Sequence, residues 1–138
     1  MRIMAIDYGD AHTGIAISDP TGFLAGFTTT IDAYCPEIVA ERVAALAKEH
    51  GVEELVLGHP INMDGTRGPR AEKAQAMKIL LEKSTSLPVV LWDERRTTID
   101  AHQILFNSGK NAKKRKKVVD AVAASLILEG YLTYKKSH

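Results

Sequence analysis

The hydrophobic period of this 138-residue chain first changes at Pro36, and that change restricts the fold more than any single motif. Before it lie three short apolar runs, "RIMAIDY" (2–8), "GIAISD" (14–19) and "FLAGFTTTI" (23–31), separated by the turn-forming stretches "GDAHTG" and "PTG". Runs of this length joined by tight turns predict three strands in an antiparallel meander. Alternation along the first strand puts Ile3, Ala5 and Asp7 on one side. From Pro36 onward, Val39, Val43, Leu46 and Ala47 recur at helical spacing, with Pro36 suited to a first turn and Gly51 to a C-terminal stop.

A buried strand, "ELVLG" (54–58), follows, and then a loop, "HPINMDGTRGPRA", rich in Gly and Pro. Pro69 opens a second helix with Ala71, Ala74, Met77 or Lys78, and Leu81 on one face. Pro88 marks the entry to the strand "VVLW". Thr97 and Asp100 make a capping-box-like start to a third helix that Gly109 ends. After a basic run, Val119, Val122, Ala123, Leu126 and Tyr131 give a final helix its apolar stripe. The two strand-helix-strand crossovers should be right-handed, with their strands parallel. The expected fold is therefore α/β, with a mixed five-stranded sheet (an antiparallel meander of three strands plus two parallel strands) flanked by helices. This is the arrangement of the ribonuclease H superfamily, and fold alone assigns no function.

The length suits a single domain over residues 1–138. A lone cysteine, Cys35, and no signal-like N-terminus point to a reducing, cytoplasmic setting. No run approaches membrane-spanning length. A net charge of +1 excludes a globally basic nucleic-acid binder but not local patches.

Two acids, Asp93 and Glu94, follow the apolar run of "VVLWDERRTT" and are followed at once by Arg95 and Arg96. Asp7 ends the first strand, and Asp120 sits beside the stripe of the final helix. Phosphodiester hydrolysis needs a nucleophilic water and neutralisation of the leaving oxygen, which two divalent ions can supply together. Mg²⁺ takes hard oxygen ligands, and strand ends and helix faces hold carboxylates more firmly than loops do. Each acid also has a purely structural reading: Asp7 could stabilise the Gly9 turn, Asp93 could pair with Arg95, and Asp120 could balance the lysines. The joint arrangement favours a metal site.

Cations that could hold a phosphate backbone lie nearby. They are Arg95 and Arg96, Arg67 and Arg70 at the mouth of the second helix, and Lys113, Lys114, Arg115, Lys116 and Lys117 ahead of Asp120. In "KNAKKRKK" (110–117) six of eight residues are basic, which suits a solvated loop as well as a binding surface. The five histidines lack metal-ligand spacing, and Cys35 has no partner thiol, so zinc is not expected. His12, near Asp7, could assist proton transfer or serve as an ordinary turn residue. Trp92 and Tyr8 are expected in the core rather than stacked on bases.

The segments "AIDYG…GIAISD", "LVLGHPINMDGTRGPRA", "PVVLWDERRTT" and "KKVVDAVAASLIL", in this order, resemble the YqgF (RuvX) family of pre-16S ribosomal RNA nucleases, also described as Holliday-junction-resolvase-like. The resemblance spans nearly the whole chain. It implies a ribonuclease H-like, metal-dependent endonuclease that processes the 5′ end of precursor 16S ribosomal RNA with Mg²⁺ or Mn²⁺. By the same resemblance Asp7, Glu94 and Asp120 carry the metal site, with Asp93 as a further ligand or an orienting group, and the "NMDG…GPRA" loop positions substrate. The chain departs from the family pattern at Ala11 and His12, where a Lys-Arg pair is usual, and at His59 and Arg96, where leucines are.

Holliday junction DNA is the alternative substrate. A non-catalytic nucleic-acid-binding module is the alternative class. An ATPase of the actin and sugar-kinase type ranks behind both, because it needs two such domains. Nothing in the sequence selects monomer or dimer.

Overall fold

The structure, a computed structural model, describes residues 2–9, 11–19, 25–59, 68–93 and 112–137, with the backbone alone described for Ala25, Pro69, Arg70, Asp93, residues 112–121, Lys136 and Ser137. Its elements in chain order are β1 (Arg2–Asp7), β2 (His12–Ser18), β3 (Ala25–Asp32), α1 (Pro36–His50), β4 (Val52–His59), α2 (Pro69–Thr85), β5 (Val89–Asp93) and α3 (Ala112–Ser137). The helix expected between Thr97 and Gly109 lies outside the described residues.

The five strands form one sheet in the order β3-β2-β1-β4-β5. β1, β2 and β3 pair antiparallel, whereas β4 lies parallel to β1, and β5 parallel to β4. This is the expected meander extended by two crossover strands. The central strand β1 is apolar on both faces, and Ile3, Met4, Ala5 and Ile6 are all buried. Such continuous burial is what helices on both sides of a sheet require.

The alternating residues sort into two cores. Met4, Ile6, Ile15, Leu55 and Leu57 pack against Val39 and Val43 of α1 and Met77 and Leu81 of α2. Ile3, Ala5, Ala16, Val56 and Trp92 pack against Ala124, Ile127, Leu128 and Tyr131 of α3. Each fully buried Leu or Ile contributes roughly 1.5–3 kcal/mol.

Local chemistry sets the helix ends. Pro36 opens α1, and Gly51 closes it at φ 67°, a left-handed conformation that only glycine adopts at little cost. α2 opens at Pro69 and closes on Ser86, which takes φ 58° without being glycine. Of the two candidates for the inner face of α2, Met77 is buried and Lys78 pairs outward with Glu82.

α3 begins earlier than its apolar stripe predicts. It starts at Ala112, so Lys113 to Lys117 lie on its first turns instead of in a preceding loop. Lys and Arg are good helix formers, and the stripe marks where the helix meets the sheet, not where it begins. Farther along, Gly130 lets the helix approach β5: a Cβ there would lie 3.3 Å from Trp92 Cζ2. Tyr131 Oη donates to Glu54 Oε1 of β4, and Lys135 Nζ donates to Glu54 Oε2 at 2.9 Å.

Candidate active site

Because β1, β4 and β5 are parallel, their C-terminal ends share one edge of the sheet, the edge where α/β proteins place ligands. The registers align that edge row by row. Ile6 pairs with Leu57 and Leu57 with Leu91; Gly58 pairs with Trp92 in the next row, which continuing the β1–β4 register by one residue extends to Asp7. Strands lie about 4.8 Å apart, so Asp7 and the end of β5 are roughly 10 Å apart across Gly58. On the other side, Asp7 pairs with Gly14 of β2. The half-buried Asp7 thus ends the central strand between two neighbours that have no side chain.

Alternation turns Asp7 toward the face that carries Ile3 and Ala5, which is the face α3 covers. Asp120 lies on α3, four residues before Ala124 and seven before Ile127. Those are spacings of one helical stripe, and both later residues pack on this face. Asp93 is the last residue of β5, level with His59 of β4. Glu94, Arg67, Arg95 and Arg96 lie outside the described residues. So do the side chains of Asp93, Asp120, Arg70, Lys113, Lys114, Arg115, Lys116 and Lys117. Among the described residues no three His, Cys, Asp or Glu side chains cluster.

The hairpin that follows Asp7 is tightly built. A Cβ on Gly9 would lie 2.3 Å from the His12 carbonyl oxygen, so only glycine fits there. His12 Nδ1 lies 2.8 Å from Asp32 Oδ1 across the β2–β3 ladder. Its imidazole is therefore tied to β3 across the ladder. His59 is buried at the end of β4, and Trp92 packs edge-on against Tyr131, with ring centroids 5.7 Å apart. Trp92 is thus a core residue as expected. Cys35 is a free, exposed thiol that donates to Glu37 Oε2 at 2.9 Å.

No motif singles out Gly14 or Gly58 as the neighbours of Asp7, and none singles out Tyr34, an exposed aromatic at the same edge. Their placement depends on strand register. The signals available in the sequence are a glycine inside each strand pattern and an aromatic just ahead of a helix start.

No helix among the described residues is long and apolar enough to cross a membrane. Residues 1–134 match the family model of RuvX, described as Holliday junction resolvase. A relative from Halothermothrix orenii, named "Putative pre-16S rRNA nuclease", is 47% identical over 135 residues, covering 98% of this chain and 96% of its own. A second of that name, from Pelotomaculum thermopropionicum, is 43% identical over 133 residues, covering 96% of this chain and 86% of its own. Among solved structures, Thermus thermophilus RuvC in complex with Holliday junction substrate superposes with a TM-score of 0.64 at 13% identity, over 99% of this chain and 96% of that one. Fowlpox virus resolvase in complex with Holliday junction DNA superposes at 0.56 and 12% identity, over 99% of this chain and 98% of that one. At such identities the likeness shows the fold, which is that of the RuvC-like, ribonuclease H-type resolvases.

Proposed function

The chain belongs to the RuvX family, and from that premise we propose that this nuclease is a divalent-metal-dependent endonuclease that trims the 5′ end of precursor 16S ribosomal RNA. The observation that carries the metal reading is the position of Asp7: the end of the central strand, the face that α3 covers, and glycine on both sides. A carboxylate at such a strand end offers hard oxygens that suit Mg²⁺ or Mn²⁺.

In this reading Asp7, Glu94 and Asp120 hold the ions, and Asp93 orients the group. The family resemblance gives Glu94 the ligand role ahead of Asp93. The chemistry such ions supply when bound is activation of a water and neutralisation of the leaving oxygen. Arg67, Arg70, Arg95 and Arg96 grip the backbone around the cut.

The N-terminus of α3 supports a polyanionic partner. Its first turn contains no acid, and Lys113 to Lys117 stack positive charge where the helix dipole is already positive. That arrangement opposes helix formation in isolation, and phosphates bound there would offset it. Cys35, without a partner thiol among the described residues, suits a reducing cytoplasm.

The family description and the two junction-bound structural neighbours favour one second reading, cleavage of four-way DNA. Purified protein incubated side by side with precursor 16S RNA and with a four-way DNA junction, each with Mn²⁺ or with EDTA, separates them. The proposal expects Mn²⁺-dependent shortening of the RNA and an intact junction. Cleavage of the junction alone would favour the resolvase reading, and cleavage of neither would leave a non-catalytic binding module.

A further inference from the structure

We propose that the cavity on the opposite side of the same strand end holds an unpaired nucleotide of the RNA being cut, an inference that rests on the nuclease reading above. Alternation turns Tyr8, the residue after Asp7, to the other face of the sheet, where it packs against the core formed with α1 and α2. There Tyr8, Tyr34, Glu37, Lys73, Met77 and Leu80 line a cavity of about 350 Å³. α1 follows β3, which runs in the same direction as β1, and α2 follows the loop after β4. The cavity therefore opens at the C-terminal edge of the sheet, beside Asp7.

Its chemistry is that of a nucleotide site. Tyr34 is 84% exposed, yet its backbone is fixed: Ala33 N donates to Ala11 O at 3.0 Å, and Cys35 O accepts from Ile38 N and Val39 N at 3.1 Å. An aromatic ring presented to solvent on a fixed backbone offers a stacking face at little cost in ordering. Met77 and Leu80 supply an apolar floor, and the thioether adapts to a flat ring. Lys73 supplies a cation for a phosphate, and the Glu37 carboxylate can accept from base N–H groups.

Position selects the occupant. Asp7 and Tyr8 are consecutive at one strand end with their side chains turned to opposite faces, so an RNA strand that crosses this sheet edge with its scissile phosphate at Asp7 carries a neighbouring nucleotide over Tyr8. A base paired within a duplex has both faces covered and cannot enter, so the site selects RNA with a single-stranded segment next to the cut.

The test uses the full chain with EDTA present and two RNAs, a blunt duplex and the same duplex with a single-stranded extension that carries a fluorescent base analogue. Tyr34→Ala is expected to weaken binding of the extended RNA by roughly 5- to 100-fold, the loss of one base stack, and to leave the blunt duplex unchanged. Tyr34→Phe keeps the ring and should bind like the parent. The analogue's fluorescence should be quenched by the parent and by Tyr34→Phe but not by Tyr34→Ala. Extended RNA bound equally by Tyr34→Ala and parent overturns the inference, as does a parent that binds both RNAs equally. A parent that binds neither RNA removes the nuclease reading itself, and this inference with it.

Discussion

Asp7 stands directly opposite Gly14 in the β1–β2 ladder, so the carboxylate that ends the central strand faces a neighbour with no side chain. Directly paired residues share a sheet face with Cβ atoms about 4.5–5.5 Å apart, so a side chain at position 14 would stand in the space beside the carboxylate. Gly14→Val suits a strand but fills that space. It is expected to cut metal-dependent cleavage by about 10- to 100-fold while RNA binding persists, read by single-turnover assay and anisotropy. Full activity in this variant would show that the gap beside Asp7 has no role.

The basic first turns of α3 give a second test. If three cations there contact phosphates, replacing Lys113, Lys114 and Arg115 with Gln flattens the slope of log affinity against log salt by about 2–3 units. Thermal stability should hold or rise by a few tenths of a kcal/mol, because the replaced charges oppose the helix dipole. An unchanged slope would remove the run from the binding surface.

Tyr131 makes stability depend on alkaline pH. Burial and then the hydrogen bond to Glu54 raise its phenol well above the ordinary value of 10.0. The unfolded chain loses that proton first, so the contribution is fully present below pH 10 and falls as pH rises above it. Denaturation curves between about pH 9 and 11.5 should therefore show a steeper loss for the parent than for Tyr131→Phe. At neutral pH the variant should be about 1.5–3 kcal/mol less stable, the value of a hydrogen bond to a charged group. Parallel curves for the two proteins would contradict this.

Gly130 allows α3 to rest against Trp92. A Cβ there lies 3.3 Å from the indole, so Gly130→Val should cost about 1–3 kcal/mol in urea denaturation through overpacking. Gly130→Ala should be nearly neutral, because a gain in helix propensity of about 1 kcal/mol opposes the tighter contact. A neutral valine variant would show that helix and strand are not in close contact.

Much of the fold is legible in the sequence because local rules and burial agree. Pro36 and Gly51 bracket α1, and Ala71, Ala74, Met77 and Leu81 mark the inner face of α2. Alternation along β1 already separates Ile3, Ala5 and Asp7 from Met4 and Ile6, and the two cores follow that division. What escapes is set by other forces. The start of α3 is hidden because lysine favours a helix without adding to an apolar stripe. The glycines beside Asp7 and the cavity at Tyr34 depend on register and tertiary packing, which no local pattern encodes. Of the proposed metal site, the sequence offers Asp7, Glu94 and Asp120 as candidates, and the structure adds which face of the sheet Asp7 shares with α3.

The most direct measurement is cleavage of precursor 16S RNA in Mn²⁺ by the parent and by Asp7→Asn at matched RNA occupancy. The substitution replaces one carboxylate oxygen with an NH₂ group and removes the negative charge at nearly constant shape. Asp7→Asn is predicted to bind the RNA as the parent does and to yield no shortened product. Equal turnover by the two proteins would contradict it.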